Sequence, residues 1–135
     1  GTEVPLAFMR APRVLVVAPA RDLSLEEHIR LGETIAQLPG RIALIASADH
    51  GHAHDPDGPY GFDPEAAVYD EKMLQILASE RLDFRPLAKH VEAGKADSLW
   101  QLLVLQGAMG ENARTTLLAY AAPTYYGMAV AEVSA

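Results

Sequence analysis

The chain has 135 residues, half of them hydrophobic and 21% charged, which suits one globular domain and excludes disordered or fibrous classes. It contains no cysteine, which removes disulfides, iron–sulfur clusters and thiol catalysis and gives no sign of an oxidising compartment, so a cytoplasmic protein is expected. Eighteen Asp and Glu against eleven Lys and Arg leave a charge of −7, which argues against nucleic acid as a partner, and no apolar run approaches the ~20 residues of a membrane span.

The first residue is Gly1 rather than Met, so the start is expected to be processed, engineered or a cut inside a longer protein. Arg13 to Ala18 (RVLVVA) and Arg41 to Ala48 (RIALIASA) are short, β-branched and almost continuously apolar, the pattern of strands buried on both faces of a sheet. Ala18-Pro19-Ala20 mimics a signal-peptide cleavage site, but the apolar part before it is too short, and a loop after a strand is the simpler reading. Between the runs, Ser24-Leu25-Glu26-Glu27 is a capping box opening a helix, with Leu25, Ile29, Ile35 and Leu38 as its apolar stripe and Pro39-Gly40 as its stop. Strand, helix and strand in this order predict a right-handed βαβ unit, and so an α/β fold with a mixed sheet and flanking helices.

His50 to Phe62 is a turn-rich loop. Asp63, Pro64 and Glu65 then read as N-cap, N1 and N2 of a helix to about Glu80, with Val68, Met73, Ile76 and Leu77 on one side. A short helix is expected over Leu87 to Glu92, ending at Gly94. A longer one begins near Asp97 or Ser98 and closes at Gly110; it is apolar nearly all round, which predicts the central buried helix with Trp100 in the core. Thr115 to Ala121 and Tyr126 to Val133 read as two late strands joined around Pro123-Thr124. His28 and His90 lie among charged residues and are expected at the surface. No repeat or linker divides residues 1–135, which read as a single domain.

Ser47 to Asp55 (SADHGHAHD) carries the chemistry. If the second strand continues, His50, His52 and His54 share one face by the two-residue period, at the carboxyl end of a strand where α/β sites gather. Three imidazoles with Asp49 and Asp55 suit a divalent metal or an acid/base group near neutrality. The alternative is a hydrated loop in which these residues serve turns.

Ser47 to His52, then Asp57-Gly58-Pro59-Tyr60-Gly61-Phe62 and Tyr69-Asp70, resemble the segment S-x-D-x-x-H…D-G-P-x-G-[YF]…[FY]-D. That segment belongs to the class III extradiol ring-cleavage dioxygenases of the protocatechuate 4,5-dioxygenase beta-subunit type. Leu102 to Ala108 (LLVLQGA) resembles the family's apolar L-x-G-A helix, and Ala121 to Met128 (AAPTYYGM) its P-x-x-x-G-x strand entry. Thr2 to Asp22 resembles a stretch from the middle of the family's chain.

The resemblance implies an oxidoreductase that cleaves a catechol- or aminophenol-type ring with O2 at non-haem Fe(II), held by two histidines and a carboxylate. His52 matches the family's acid/base histidine. The carboxylate position falls on Ser98, a poor ligand, so Asp97 beside it is the candidate metal residue; its alternative is a plain N-cap. Tyr60, Tyr125 and Tyr126 are candidate substrate-binding residues, with packing as the alternative. His50 and His54, which the motif does not carry, are further substrate-binding candidates, or else serve the loop or a place behind the site.

The family's two histidine ligands lie upstream of the piece that Thr2 resembles. The chain is therefore expected to be the C-terminal part of a longer catalytic subunit, binding Fe(II) only with an N-terminal half. Its expected partners are a small aromatic substrate and O2, and then another copy, the N-terminal half or a second subunit. An apolar patch should be exposed where such a half would sit. Two other functions compete: a non-catalytic family member acting as a partner subunit, favoured by Ser98, and a metal-dependent hydrolase using the His50/His52/His54 cluster.

Overall fold

The computed structural model describes residues 3–10 and 13–134; Gly1 and Thr2, where the chain and its family-like opening begin, lie outside them. A short helix, α1 (Glu3–Ala7), buries none of its residues. The capping box forms as its sequence predicts: Ser24 accepts from the Glu27 amide, and the Glu27 carboxylate accepts from the Ser24 amide at 2.8 Å. Helix α2 (Leu25–Ala36) follows. Asp63 caps α3 (Pro64–Leu77) by accepting from the Glu65 amide at 2.8 Å, with Pro64 at N1. The helix stops at Leu77 rather than Glu80; past Ala78 the Ser79 amide bonds back to the Ile76 carbonyl at 3.1 Å, a tightened last turn.

A 3-10 turn (Arg85–His90) runs into α4 (Val91–Gly94), and α5 (Leu99–Met109) ends at Gly110 as expected. Strands β1 (Arg114–Ala121) and β2 (Met128–Ser134) pair antiparallel, from Arg114 opposite Ser134 to Ala121 opposite Met128, with a bulge between Leu117 and Ala119.

Tyr69, Met73 and Leu77 of α3 meet Leu99, Leu102 and Leu103 of α5, with Leu82, Phe84 and Leu87 closing the core between them. Each fully buried Leu or Phe here contributes roughly 1.5–3 kcal/mol. Gln106, polar in an apolar helix, is buried because its Oε1 accepts from the Phe84 amide at 2.8 Å. Helix α2 crosses α5 where two glycines meet. A Cβ on Gly32 would overlap the Val104 carbonyl, and one on Gly107 would overlap the Ile29 carbonyl.

The fold is α/β, but its sheet is not the expected mixed one. Among the described residues the named strands are β1 and β2, and the runs 13–18 and 41–48 carry no regular secondary structure. The predicted βαβ unit is therefore reduced to its helix. A strand exists only beside another backbone that takes up its hydrogen bonds, and among the described residues neither run is paired into a sheet. Their side chains are exposed instead: Leu15 by 81%, with Val14, Val16, Val17, Ile42 and Ile45.

Three smaller expectations also change. His28 is buried, since it sits at the i+3 position from Leu25 on the inner stripe of α2, with Nδ1 2.8 Å from the Ser24 carbonyl. His90 is buried and paired with Glu65 in the first turn of α3. Trp100 lies half-buried at the margin of the core, with the Arg21 guanidinium 4.5 Å above its ring. No described helix is long and apolar enough to cross a membrane.

Candidate functional site

Residues 50–54 thread between two neighbours. The His50 and His54 amides donate to the carbonyls of Gly127 and Tyr125, in the connection between β1 and β2. The His52 amide donates the other way, to Gly94 at 2.8 Å. In a regular strand, residues two apart bond to the same neighbour. The segment therefore turns at Gly51 to Ala53, and the three imidazoles, expected on one face, go to three environments. Gly51 is required by the close approach of α3: a Cβ there would lie 2.7 Å from the Ala66 carbonyl.

His50 is buried, its Nδ1 2.8 Å from Ser98 Oγ, and the Tyr69 hydroxyl lies 3.0 Å from the same oxygen. Burial pushes the His50 imidazole below its ordinary value, against the opposing pull of Asp70 and Asp49. Burial likewise pushes the Tyr69 phenol up, so it keeps its proton. Ser98 stands at the N-cap position of α5 but makes no capping bond, because its hydroxyl is turned to His50 and Tyr69.

His54 donates from Nε2 to Asp70 at 2.8 Å. The buried Asp70 carboxylate also accepts from the Tyr120 hydroxyl at 2.6 Å and the Gly51 amide at 2.7 Å, tying the loop to α3 and β1. Gly127 must be glycine for this, since a Cβ would overlap the carboxylate.

His52 alone of the three lines a cavity of about 560 Å³, with Arg21, Tyr60, Lys95 and Asp97 on its walls. Its side chain is 13% exposed. The ring centroids of Tyr60, Tyr125 and Tyr126 lie 5.7, 5.9 and 5.8 Å from that of His52, so an apolar aromatic wall surrounds one imidazole. Its Nδ1 lies 2.9 Å from the Lys95 carbonyl, and its Nε2 lies 3.6 Å from Asp49. This arrangement suits a planar aromatic ligand with a proton acceptor at its edge.

Asp97 reaches the same cavity, but its carboxylate is ion-paired with Arg21. Among the described residues, no group of three His, Asp or Glu stands close enough to hold a metal ion. These residues do not by themselves fit a site of two histidines and a carboxylate, and the supposed His50/His52/His54 cluster dissolves because each ring has its own partner. Sequence reasoning missed Asp70, Tyr120, Arg21 and Lys95. Asp70 alone left a signal there, as the acid of Tyr69-Asp70; the others are brought in by tertiary structure.

A family model described as the catalytic LigB subunit of aromatic ring-opening dioxygenase matches residues 1–131. No curated protein matches the chain.

Proposed function

The chain belongs to the family of catalytic LigB subunits of aromatic ring-opening dioxygenases, and on that premise we propose that it forms the ring-facing, proton-transferring side of a class III extradiol site. The substrate class is a catechol or aminophenol, opened by O2 with both oxygen atoms retained in the product. The observation carrying the reading is His52, set in the cavity wall among Tyr60, Tyr125 and Tyr126. Tyr60, on the cavity wall, packs against the substrate ring, while Tyr125 and Tyr126 pack against the His52 imidazole. His52 takes a proton from the ring hydroxyl or amine and returns it as the ring opens, a role worth roughly 10²–10⁴ in rate. His50 and His54 act behind the site, keeping residues 50–54 in place through Ser98 and Asp70.

Because the described residues do not complete a metal site, the iron ligands are assigned to a further segment or chain, the N-terminal half of the subunit. The exposed runs 13–18 and 41–48 support this, since strands brought beside them would pair their backbones and cover their side chains. The test measures iron content and catechol cleavage in this chain and in a version extended upstream. Iron-dependent cleavage confined to the extended protein is expected. An extended, iron-loaded protein that cleaves neither a catechol nor an aminophenol would overturn the reading. A second reading, a non-catalytic family member, is favoured by Ser98 at the ligand position and by the Arg21–Asp97 pair; it predicts that the extended protein takes up no iron.

A further inference from the structure

We infer that the backbone carbonyl of Lys95 positions His52, holding the neutral ring as its Nδ1–H tautomer and leaving Nε2 as the nitrogen that accepts a proton. The inference builds on the acid/base role proposed for His52, while its test reads the ring directly. Lys95 is the one non-glycine residue with a left-handed backbone among the described residues, at φ 51° and ψ 35°. It occupies the C′ position of a Schellman motif: the Ala96 amide reaches the Val91 carbonyl at 3.0 Å, and the Lys95 amide reaches Glu92 at 3.4 Å. Glycine is the usual residue there, because a side chain costs on the order of 1 kcal/mol in this conformation.

Gly94, the helix stop expected from sequence, does not take that place. It is needed one residue earlier, where a Cβ would lie 3.1 Å from the Glu65 carbonyl and 3.2 Å from Ala66 Cα. The strained conformation is thus passed to Lys95, and the turn presents two successive carbonyls to one residue. Gly94 accepts the His52 amide at 2.8 Å, and Lys95 meets the His52 ring nitrogen Nδ1 at 2.9 Å. Strain kept at a cavity wall points to a positional requirement.

A carbonyl oxygen can only accept, so Nδ1 must carry the hydrogen. Among the described residues the rival acceptor for Nε2 is Asp49, whose carboxylate at 3.6 Å is beyond hydrogen-bond range. The shorter contact decides the tautomer, and it is the opposite of the one that free neutral histidine favours. The bonded Nδ1 edge and the neighbouring rings of Tyr60, Tyr125 and Tyr126 oppose a flip of this ring.

Long-range ¹H–¹⁵N correlation spectra of this chain, with His52 assigned through H52Q, read the tautomer. A protonated Nδ1 and a bare Nε2 are expected in the neutral ring; the reverse pattern would overturn the inference. K95G, which keeps the left-handed turn, should retain the pattern. K95V, whose β-branched side chain opposes positive φ, should shift the ring toward Nε2–H while the circular dichroism stays native. A folded K95V with an unchanged pattern would remove Lys95 as the positioning residue. An upstream-extended, iron-loaded protein that shows the Nδ1–H pattern without ring cleavage would sink the proposed reaction, yet support the tautomer.

Discussion

Asp70 accepts from His54 Nε2 at 2.8 Å in a site where the carboxylate is almost wholly enclosed. The same carboxylate takes the Tyr120 hydroxyl and the Gly51 amide, so three donors, two from residues 50–54 and one from β1, converge on it. Each donor left unsatisfied in a buried place costs about 1–3 kcal/mol. Asp70→Ala should therefore lower stability by about 3 kcal/mol or more in urea denaturation. Asp70→Asn should cost less, about 1–2 kcal/mol, since the amide keeps an acceptor for Gly51 and the imidazole can change tautomer. Equal losses in the two variants would show that packing volume, not the hydrogen bonds, matters there.

The glycine crossing of α2 and α5 makes a second prediction. Gly107→Ala places a methyl group against the Ile29 carbonyl, where rigid helix backbone cannot yield. Overpacking of this kind costs about 1–3 kcal/mol, and a helix displacement adds to it. Thermal unfolding should report a fall in Tm for Gly107→Ala and for Gly32→Ala. Gly40→Ala is the contrast: its Cβ would meet nothing, so its smaller loss should come from its positive φ alone.

Stability should fall on mild acidification because of His50. Unfolded, its imidazole takes a proton near pH 6.5; folded, burial lowers its affinity for that proton. The unfolded state then binds more protons, so the contribution is complete above about pH 6.5 and is lost as pH falls below it, at up to about 1.4 kcal/mol per pH unit. Asp83, lowered chiefly by its hydrogen bond from Arg85, loses its contribution only below about pH 4, in a separate window. Urea unfolding between pH 7.5 and 5.5 should show this slope, and His50→Gln should flatten it. A His50→Gln curve parallel to wild type would assign the slope elsewhere.

The exposed runs predict association. Val14, Leu15, Val16 and Val17, with Ile42 and Ile45, expose large apolar side chains, and exposed apolar groups of this kind favour association. Sedimentation should show mass rising with concentration, and Leu15→Glu should reduce it. A concentration-independent monomer would mean that these residues find cover within the chain.

His52→Ala should lower kcat/KM for ring cleavage by roughly 10²–10⁴ in an active, upstream-extended protein, whereas Tyr60→Ala should act mainly on KM. A His52→Ala protein within threefold of wild type would remove the acid/base assignment.

Local signals were legible wherever a few neighbouring residues satisfy one another. The Ser24 capping box, the Asp63 cap and the Gly110 stop all form where the chain alone places them, because each closes hydrogen bonds within one turn. The late hairpin is similar, since its partner strand lies within a few residues. Spacing alone did not choose among the three histidines; the resemblance to the family motif ending at His52 singled out the one that lines the cavity. Tertiary structure decided the rest. Whether RVLVVA and RIALIASA become strands depends on a backbone beside them, which no property of the runs themselves encodes. The three alternating histidines part company because His52 bonds to Gly94 while its neighbours bond to the hairpin, and those partners are distant in sequence. Local order was settled by short-range hydrogen bonds, and the roles of the histidines by contacts that only folding brings together.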